Sequence, residues 1–390
     1  MRILVVHNRY QIRAGEDSCW NREQELLRQY GNEVINYTRD NRELIQIAHW
    51  KTGLRTVWSS EDYTSLRGTI RQHRPEVIAI HNVFPQISPA AYYAARAERI
   101  PVVQTLHNYR LLCPGSYLFR NGQVCEDCIG KPVPWPGIVH GCYRENRLAS
   151  SAVAAMLAVH QALNTWKRMV DVYIALTNFS RQKFIEGGLP AEKIVVKPNF
   201  VSPDPGRGAG EGKFALYVGR LTTEKGLDTV IDAWKELGSL IKLKIVGEGA
   251  LAPRAAAAAG SCPSVEYLGT KSGSETIEII KQASFLIFPS RWYEGLPLTI
   301  IESFAAGTPV IASAMGSMTS LVEHGKTGLH FRPGDVGDLI RTVQWAVSHP
   351  AEIESMRRAA RSEFEAKYTA DKNYERLMQI YRLAIDRRGN

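Results

Sequence analysis

Phe288-Pro289-Ser290-Arg291-Trp292-Tyr293-Glu294-Gly295-Leu296-Pro297-Leu298-Thr299-Ile300-Ile301-Glu302 reads as the apolar end of a strand that breaks into a loop and restarts as a helix. Gly295 lets the backbone approach a ligand closely, and Pro297 has the fixed φ that suits a first helical turn. Amides left unpaired at such a turn form an anion site. Glu294 precedes the helix and Glu302 lies one to two turns inside it, so one carboxylate reaches each end of a ligand lying over the helix start. That spacing fits a phosphate-bearing sugar. Read alone, the same pair also suits a helix-dipole acid and a solvated helix residue, and the surrounding chain has to decide between the two.

Outward from this stretch, apolar runs recur at Phe214–Val218, Leu243–Val246, Phe285–Phe288, Pro309–Ala312 and Gly328–Phe331, with a helix at Thr229–Leu237. Continuous apolar runs, as opposed to alternating ones, are the mark of strands buried on both faces of a parallel sheet. The first half follows the same plan, with strands at Ile3–Val6, Glu33–Tyr37, Val77–His81, Val102–Leu106, Val172–Leu176 and Ile194–Lys197. Its helices fall at Cys19–Tyr30, at Ser88–Glu98 and from Arg147 through Ala152–Met169. Between the halves, Val201–Gly212 is rich in glycine and proline and reads as a linker. The expected class is α/β, with Rossmann-like domains at residues 1–200 and 201–368 and a closing helical segment at 369–390 that contains Tyr374–Arg387.

At 390 residues the chain exceeds one ordinary core. With 44% hydrophobic and 22% charged residues it has the composition of a soluble globular protein. No apolar run approaches a membrane span, and Ile3-Leu4-Val5-Val6 is too short for a signal-peptide core, so a cytoplasmic protein is expected. The net charge of +9 attracts anions without choosing among nucleic acid, acidic lipid and sugar nucleotide.

Strand Phe214–Val218 runs into Gly219-Arg220-Leu221-Thr222-Thr223-Glu224-Lys225-Gly226. Glycines flanking two cations at a strand's carboxyl end suit a diphosphate, because the glycines permit approach and Arg220 and Lys225 supply charge. A solvated loop is the plainer reading. Val246-Gly247-Glu248-Gly249 repeats the strand-end pattern, and no Walker loop occurs. His81-Asn82 and His107-Asn108 also follow strands, where open α/β sheets bind their ligands.

Taken together, Gly219-Arg220-Leu221 with Lys225-Gly226, then Gly247-Glu248-Gly249, then Glu294 and Glu302 with seven residues between them, resemble the retaining family 4 glycosyltransferases of the GT-B fold. The resemblance spans the whole chain. It implies two Rossmann-like domains facing each other across a cleft, the first for the acceptor and the second for the sugar nucleotide, with the last helix crossing back to the first. Arg220 and Lys225 would then hold the donor diphosphate, Glu302 the ribose hydroxyls, and Glu294 the donor sugar. The backbone of Gly295, Leu296, Pro297 and Leu298 would contact sugar and phosphate, with Gly247 close by. His107 matches the family's first-domain histidine near the reacting carbon, and Asn199 the polar residue at the domain junction. The first loop, Arg13-Ala14-Gly15-Glu16-Asp17, departs from the family's adjacent glycines: only Gly15 is present for the donor phosphate, and Glu16 is free to face the acceptor. The implied reaction needs no metal or cofactor, in keeping with the lack of an Asp-x-Asp pair. The implied partners are a nucleoside-diphosphate sugar and a glycan or lipid-linked acceptor at the inner membrane, with no nucleic acid.

Two features lie outside that resemblance. Cys113, Cys125, Cys128 and Cys142 occupy an insertion at about 108–146, and four thiolates so close in sequence could close a structural zinc site. A redox-labile disulfide or plain buried thiols are the alternatives. The stretch Pro132–Gly137 is expected to be irregular. In Leu44–Trp58, Ile47, Trp50, Leu54 and Val57 fall on one helical stripe, which reads first as core packing and second as contact with an acidic membrane surface. The competing functional readings are a sugar-nucleotide epimerase on the same fold and a basic nucleic-acid-binding protein with a four-cysteine knuckle.

Overall fold

The structure is a computed structural model that describes residues 1–11 and 15–389, without the side chains of residues 45 and 46. Arg13 and Ala14 of the first loop lie outside the described residues. Contacts divide the chain into two compact units. One comprises Met1–Leu118, Cys125–Asn199 and the chain from Asn373 on, and the other comprises Phe119–Val124 and Phe200–Lys372.

The chain enters the first unit through β1 (Arg2–Arg9), β2 (Glu33–Asp40), β3 (Val77–Asn82) and β4 (Val102–Leu106). After a short antiparallel hairpin, β5 (Phe119–Arg120) with β6 (Gln123–Val124), come β7 (Val172–Ala175) and β8 (Ile194–Val196). Six of these form a parallel sheet ordered β2-β1-β3-β4-β7-β8. Val77–Ile80, Val102, Val103 and Val172–Ala175 are all buried, as strands covered by helices on both faces must be. The helices are α1 (Gly15–Gln29), α2 (His49–Val57), α3 (Ser60–His73), α4 (Ala90–Ala97), α5 (Trp135–Val139), α6 (Arg147–Ala162), α7 (Thr165–Arg168) and α8 (Asn178–Glu186). The order reverses between β1 and β3, and there the register slips: Val6 lies opposite Ile80 but His7 opposite Asn82. His81 is therefore the extra residue of a bulge, a device that re-aims a side chain.

The second unit carries β9 (Phe214–Val218), β10 (Lys242–Val246), β11 (Val265–Tyr267), β12 (Phe285–Phe288), β13 (Val310–Ser313) and β14 (Gly328–Phe331). They form a parallel sheet ordered β11-β10-β9-β12-β13-β14, which reverses between β9 and β12. Ligands of open α/β sheets bind outside the carboxyl ends of strands at such a reversal. Helices α9 (Leu227–Leu237), α10 (Ala252–Ser261), α11 (Gly273–Gln282), α12 (Leu298–Ala305), α13 (Met318–Leu321), α14 (Val336–Ser348) and α15 (Pro350–Lys367) complete this unit. The last helix, α16 (Ala370–Gly389), puts Leu377, Ile380, Tyr381 and Ala384 into the core of the first unit beside Ile3, Val5, Val103 and Val172.

Four sequence expectations are corrected here. The helix through Met169 stops at Ala162, because Asn164 takes a left-handed φ of 54° and the chain restarts as α7. Pro132–Gly137 contains the start of a short helix, α5, which tolerates Pro136 in its first turn. The supposed linker is pinned to the second unit: Gly208, Gly210 and Gly212 donate to the carbonyls of Ala306, Lys281 and Gln282, and the buried Arg357 donates to that of Gly208. The stripe on α2 is not core. Trp50 and Leu54 are 66% and 65% exposed, because the helix packs through Thr56 and through Gly53, whose Cβ position would lie 3.4 Å from Ala152 of α6.

Candidate functional site

In the second unit the loops after β9 and β12 meet at the reversal point. Gly226 makes this contact possible: its φ is +72°, and a Cβ there would sit 2.0 Å from the carbonyl oxygen of Pro289. The amide of Arg291 donates to the Glu224 carbonyl at 2.8 Å and ties the same two loops. Lys225 is thereby carried onto Glu294, with Nζ 2.6 Å from Oε1. The same oxygen accepts from Ser290 Oγ at 2.8 Å and from Trp292 Nε1 at 2.7 Å. Ser317 Oγ donates to the Glu294 carbonyl at 2.6 Å and fixes the backbone beneath. Glu294 is buried, so its side chain is held by three donors before any ligand arrives. Ser290, Trp292 and Ser317 hold Glu294 in place, a convergence that the spacing of the motifs did not reveal.

Pro297 caps α12 with an extended ψ of 118° and no side-chain hydrogen bond. Gly295, Leu298 and Thr299 are half-buried, and Leu296 is buried beneath them. Amides of an uncapped first turn retain donor capacity for an anion. Glu302 is half-buried on α12 one turn further in. Arg220 stands on the β9 loop with its side chain 56% exposed and its guanidinium 3.7 Å from Glu224, in the range of a weak surface pair. Gly247 has φ 140°, and a Cβ there would fall 1.9 Å from the carbonyl oxygen of Gly219, so the β10 loop packs directly on the arginine loop. The structure thus joins Lys225 to Glu294, while Arg220 belongs to the same loop without that contact.

The first unit gathers a different set. His107 Nε2 lies 2.9 Å from His81 Nδ1, and His81 Nε2 lies 3.2 Å from Glu23 Oε1. Glu23 Oε2 pairs with Lys197 Nζ at 3.1 Å. Burial alone would raise the Glu23 carboxyl, but the Lys197 charge, with hydrogen bonds from His81 and Lys197, holds it well below the usual carboxylate range. Burial pushes His107 well below the ordinary imidazole value. Beside them, His7 Nε2 is 2.9 Å from Asp17 Oδ1, and burial lowers His7 too. His81, Asn82, Phe84, His107, Asn108 and Arg110 line one pocket of this unit. Gly15 is the exposed first residue of α1 and Asn199 is buried at the end of the unit's second segment. Glu16 accepts from Tyr10 and Asn108. The strand-end position exposed His81 and His107 in the sequence, but Glu23 and Lys197 lie 174 residues apart and gave no such signal.

The insertion brings its thiols near one another. A Cβ at Gly115 would lie 3.7 Å from Cys113 Sγ and 3.6 Å from Cys142 Cβ. Burial, with the neighbouring Cys113, pushes the Cys128 thiol up to about 12. Its Sγ turns to the Pro134 carbonyl at 3.9 Å. None of the four cysteines is placed in a disulfide, and among the described residues no group of three or more His, Cys, Asp or Glu side chains is disposed to hold a metal ion.

Comparison with known proteins bears on both units. Residues 204–363 match the family model for glycosyl transferases group 1, and residues 38–199 match that for the glycosyl transferase 4-like domain. D-rhamnosyltransferase WbpZ of Pseudomonas aeruginosa is 30% identical over 162 residues, 40% of this chain and 42% of its own length. Alpha-D-kanosaminyltransferase of Streptomyces kanamyceticus is 23% identical over 330 residues, 81% of this chain and 80% of its own. The chain spans about half the length of the first curated relatives it matches. Among solved structures, HepE of Anabaena in complex with UDP superposes with a TM-score of 0.68 at 17% identity, over 97% of this chain and 99% of that one. Sucrose-phosphate synthase from Thermosynechococcus elongatus gives 0.72 at 17% identity, over 98% of each chain. These likenesses, with the two six-stranded parallel sheets, establish the GT-B fold.

Proposed function

The chain belongs to the glycosyl transferase group 1 family, and on that premise we propose that it moves a sugar from a nucleoside-diphosphate sugar to a glycan or lipid-linked acceptor, with retention at the anomeric carbon and without a metal ion. The observation that carries this reading is the Lys225–Glu294 pair beside the uncapped start of α12. A diphosphate seated on that helix start meets free amides and the positive end of the helix dipole. Lys225 then exchanges Glu294 for the phosphate, and Arg220, exposed on the same loop, adds a second charge. Ser290 and Trp292 keep Glu294 in place after the exchange, so its carboxylate can accept a hydroxyl of the donor sugar. Glu302 takes the ribose hydroxyls, and the amides of Gly295, Leu296 and Leu298 contact sugar and phosphate.

Once the two cations compensate its charge, the nucleoside diphosphate is a good leaving group. The acceptor attacks from the face the leaving group vacates, its proton passes to the departing phosphate, and configuration is kept. His107 bonds a sugar hydroxyl on the acceptor side, with Asn199 and Gly15 as further donor contacts. HepE, a solved structure of like fold, is in complex with UDP-glucose, which makes uridine donors the first to try. The family matches favour neither an epimerase nor a nucleic-acid-binding protein.

A lipid-linked acceptor fits a second set of residues. Exposed apolar side chains gather on three packed helices of the first unit: Trp50 and Leu54 on α2, Trp135 and Val139 on α5, and Leu148 on α6. Lys51 and Lys131 stand over the Trp50 and Trp135 rings, and α2 and α6 carry no acidic residue. Apolar side chains interleaved with cations suit the surface of an anionic bilayer.

Replacing Lys225 or Glu294 by alanine tests the donor site. Each change is expected to lower transfer by about 100-fold or more, the scale of removing one charge-stabilising group, with the melting temperature nearly kept. Wild-type turnover in either variant would contradict the assignment.

A further inference from the structure

The first unit holds a continuous buried chain, His107–His81–Glu23–Lys197. Its anchor is the last helix. Asn373 on α16 accepts from Lys197 Nζ at 3.0 Å and donates to the Pro198 carbonyl at 2.7 Å, so the ammonium is fixed in both position and partner. Lys197 is 2% exposed. A buried ammonium requires a carboxylate, and Glu23 supplies it.

From that pair the direction of every proton along the chain follows. Glu23 is ionised and can only accept, so His81 must carry its proton on Nε2, the nitrogen 3.2 Å from Glu23 Oε1. Lys197 already neutralises Glu23, and a neutral His81 leaves no uncompensated charge. Its Nδ1 is then a bare lone pair and accepts from His107 Nε2, 2.9 Å away. His107 is left with its proton on Nε2 and with Nδ1 as an acceptor. The bulge at His81 makes the relay possible by turning an imidazole out of the β1–β3 ladder, between Glu23 of α1 and the end of β4.

We infer that Glu23, set by Lys197 and Asn373, is a positioning residue that acts through His81 to hold His107 as a neutral hydrogen-bond acceptor. In that state His107 receives a hydroxyl proton of the sugar and presents no positive charge to a developing oxocarbenium centre. The inference rests on the reading that places His107 at the reacting sugar. It adds to that reading the tautomer of the ring and the three residues that choose it.

Glu23→Gln supplies the test, because it keeps the shape and reverses the chain. Lys197 draws the amide oxygen, so the amide NH2 must face His81 Nε2. His81 then carries its proton on Nδ1 and donates to His107 Nε2, and His107 turns from acceptor to donor at Nδ1. Imidazole nitrogen NMR at pH 8 reads both tautomers directly. The wild-type chain is expected to show the Nε2–H form at His81 and His107, and Glu23→Gln the Nδ1–H form at both. Turnover should fall roughly 10- to 100-fold in Glu23→Gln, with the donor KM unchanged. A wild-type His107 protonated on Nδ1, or unchanged tautomers in Glu23→Gln, would overturn the inference, and the wild-type spectrum decides even where the variant does not fold. Reversed tautomers with unchanged turnover would uphold the chain of protons and count against the role of His107 itself.

Discussion

Glu16, the second residue of α1, shows how far a single enclosed carboxyl can depart from its neighbours. Its Oε1 is closed off from water, and its carboxyl is pushed up to about 8, first by burial and then by Asp17, against the opposing hydrogen bonds of Tyr10 and Asn108. A carboxyl raised in the folded chain above an ordinary 4.5 binds a proton that the unfolded chain has already released. Its contribution to stability is therefore complete below about pH 4.5 and is lost as the pH climbs through about 8. Glu16→Gln removes the titration, so its melting temperature relative to wild type should be higher at pH 9 than at pH 5; the same offset at both pH values would contradict this. Residues of this kind are where the sequence says least. Glu294 and Lys225 stood out because they follow strands beside glycines, and His107 because it sits at a strand's carboxyl end. Ser290 and Trp292 share the Glu294 stretch yet carry no pattern, since their convergence on one oxygen depends on the loop path.

At the scale of elements, legibility follows burial. Val102–Leu106, Phe214–Val218, Phe285–Phe288 and Gly328–Phe331 are read to the residue, because strands covered on both faces read as mostly apolar runs, not alternating ones. The short edge strand Val265–Tyr267 and the helices α10 and α15 are harder to read, with an alanine run in α10 and many charges in α15 in place of an apolar stripe. Helix α2 reverses the usual rule: small residues face its neighbour and large ones face water. If those large residues dock on a bilayer, Trp50→Ser combined with Leu54→Ser should abolish co-sedimentation with vesicles containing phosphatidylglycerol. Wild-type binding should also weaken as salt rises, since the lysines act through a screened field. Equal sedimentation of the double variant and the wild-type chain would remove α2 from the surface, and self-association in place of vesicle binding would mark it as an interface between copies of the chain.

For the whole molecule, the two parallel sheets were legible as architecture, and the return of α16 to the first unit places its core residues among strands far back in the chain. No helix among the described residues is long and apolar enough to cross a membrane. Strand order could not be read from the runs alone, because each sheet's reversal point is set by which strands neighbour one another. Those reversal points nonetheless explain why the chemistry gathers at His7, His81, Gly219 and Glu294. The proposed function requires above all that the loops after β9 and β12 bind a nucleoside diphosphate through Lys225 and the start of α12. Calorimetric titration of the wild-type chain and of Lys225→Ala with UDP, GDP and ADP tests it most directly. Saturable binding of at least one of them is expected, weakened about tenfold or more in the variant, the scale of one charge-assisted contact. Absence of binding for all three, or equal affinity in both proteins, would contradict it.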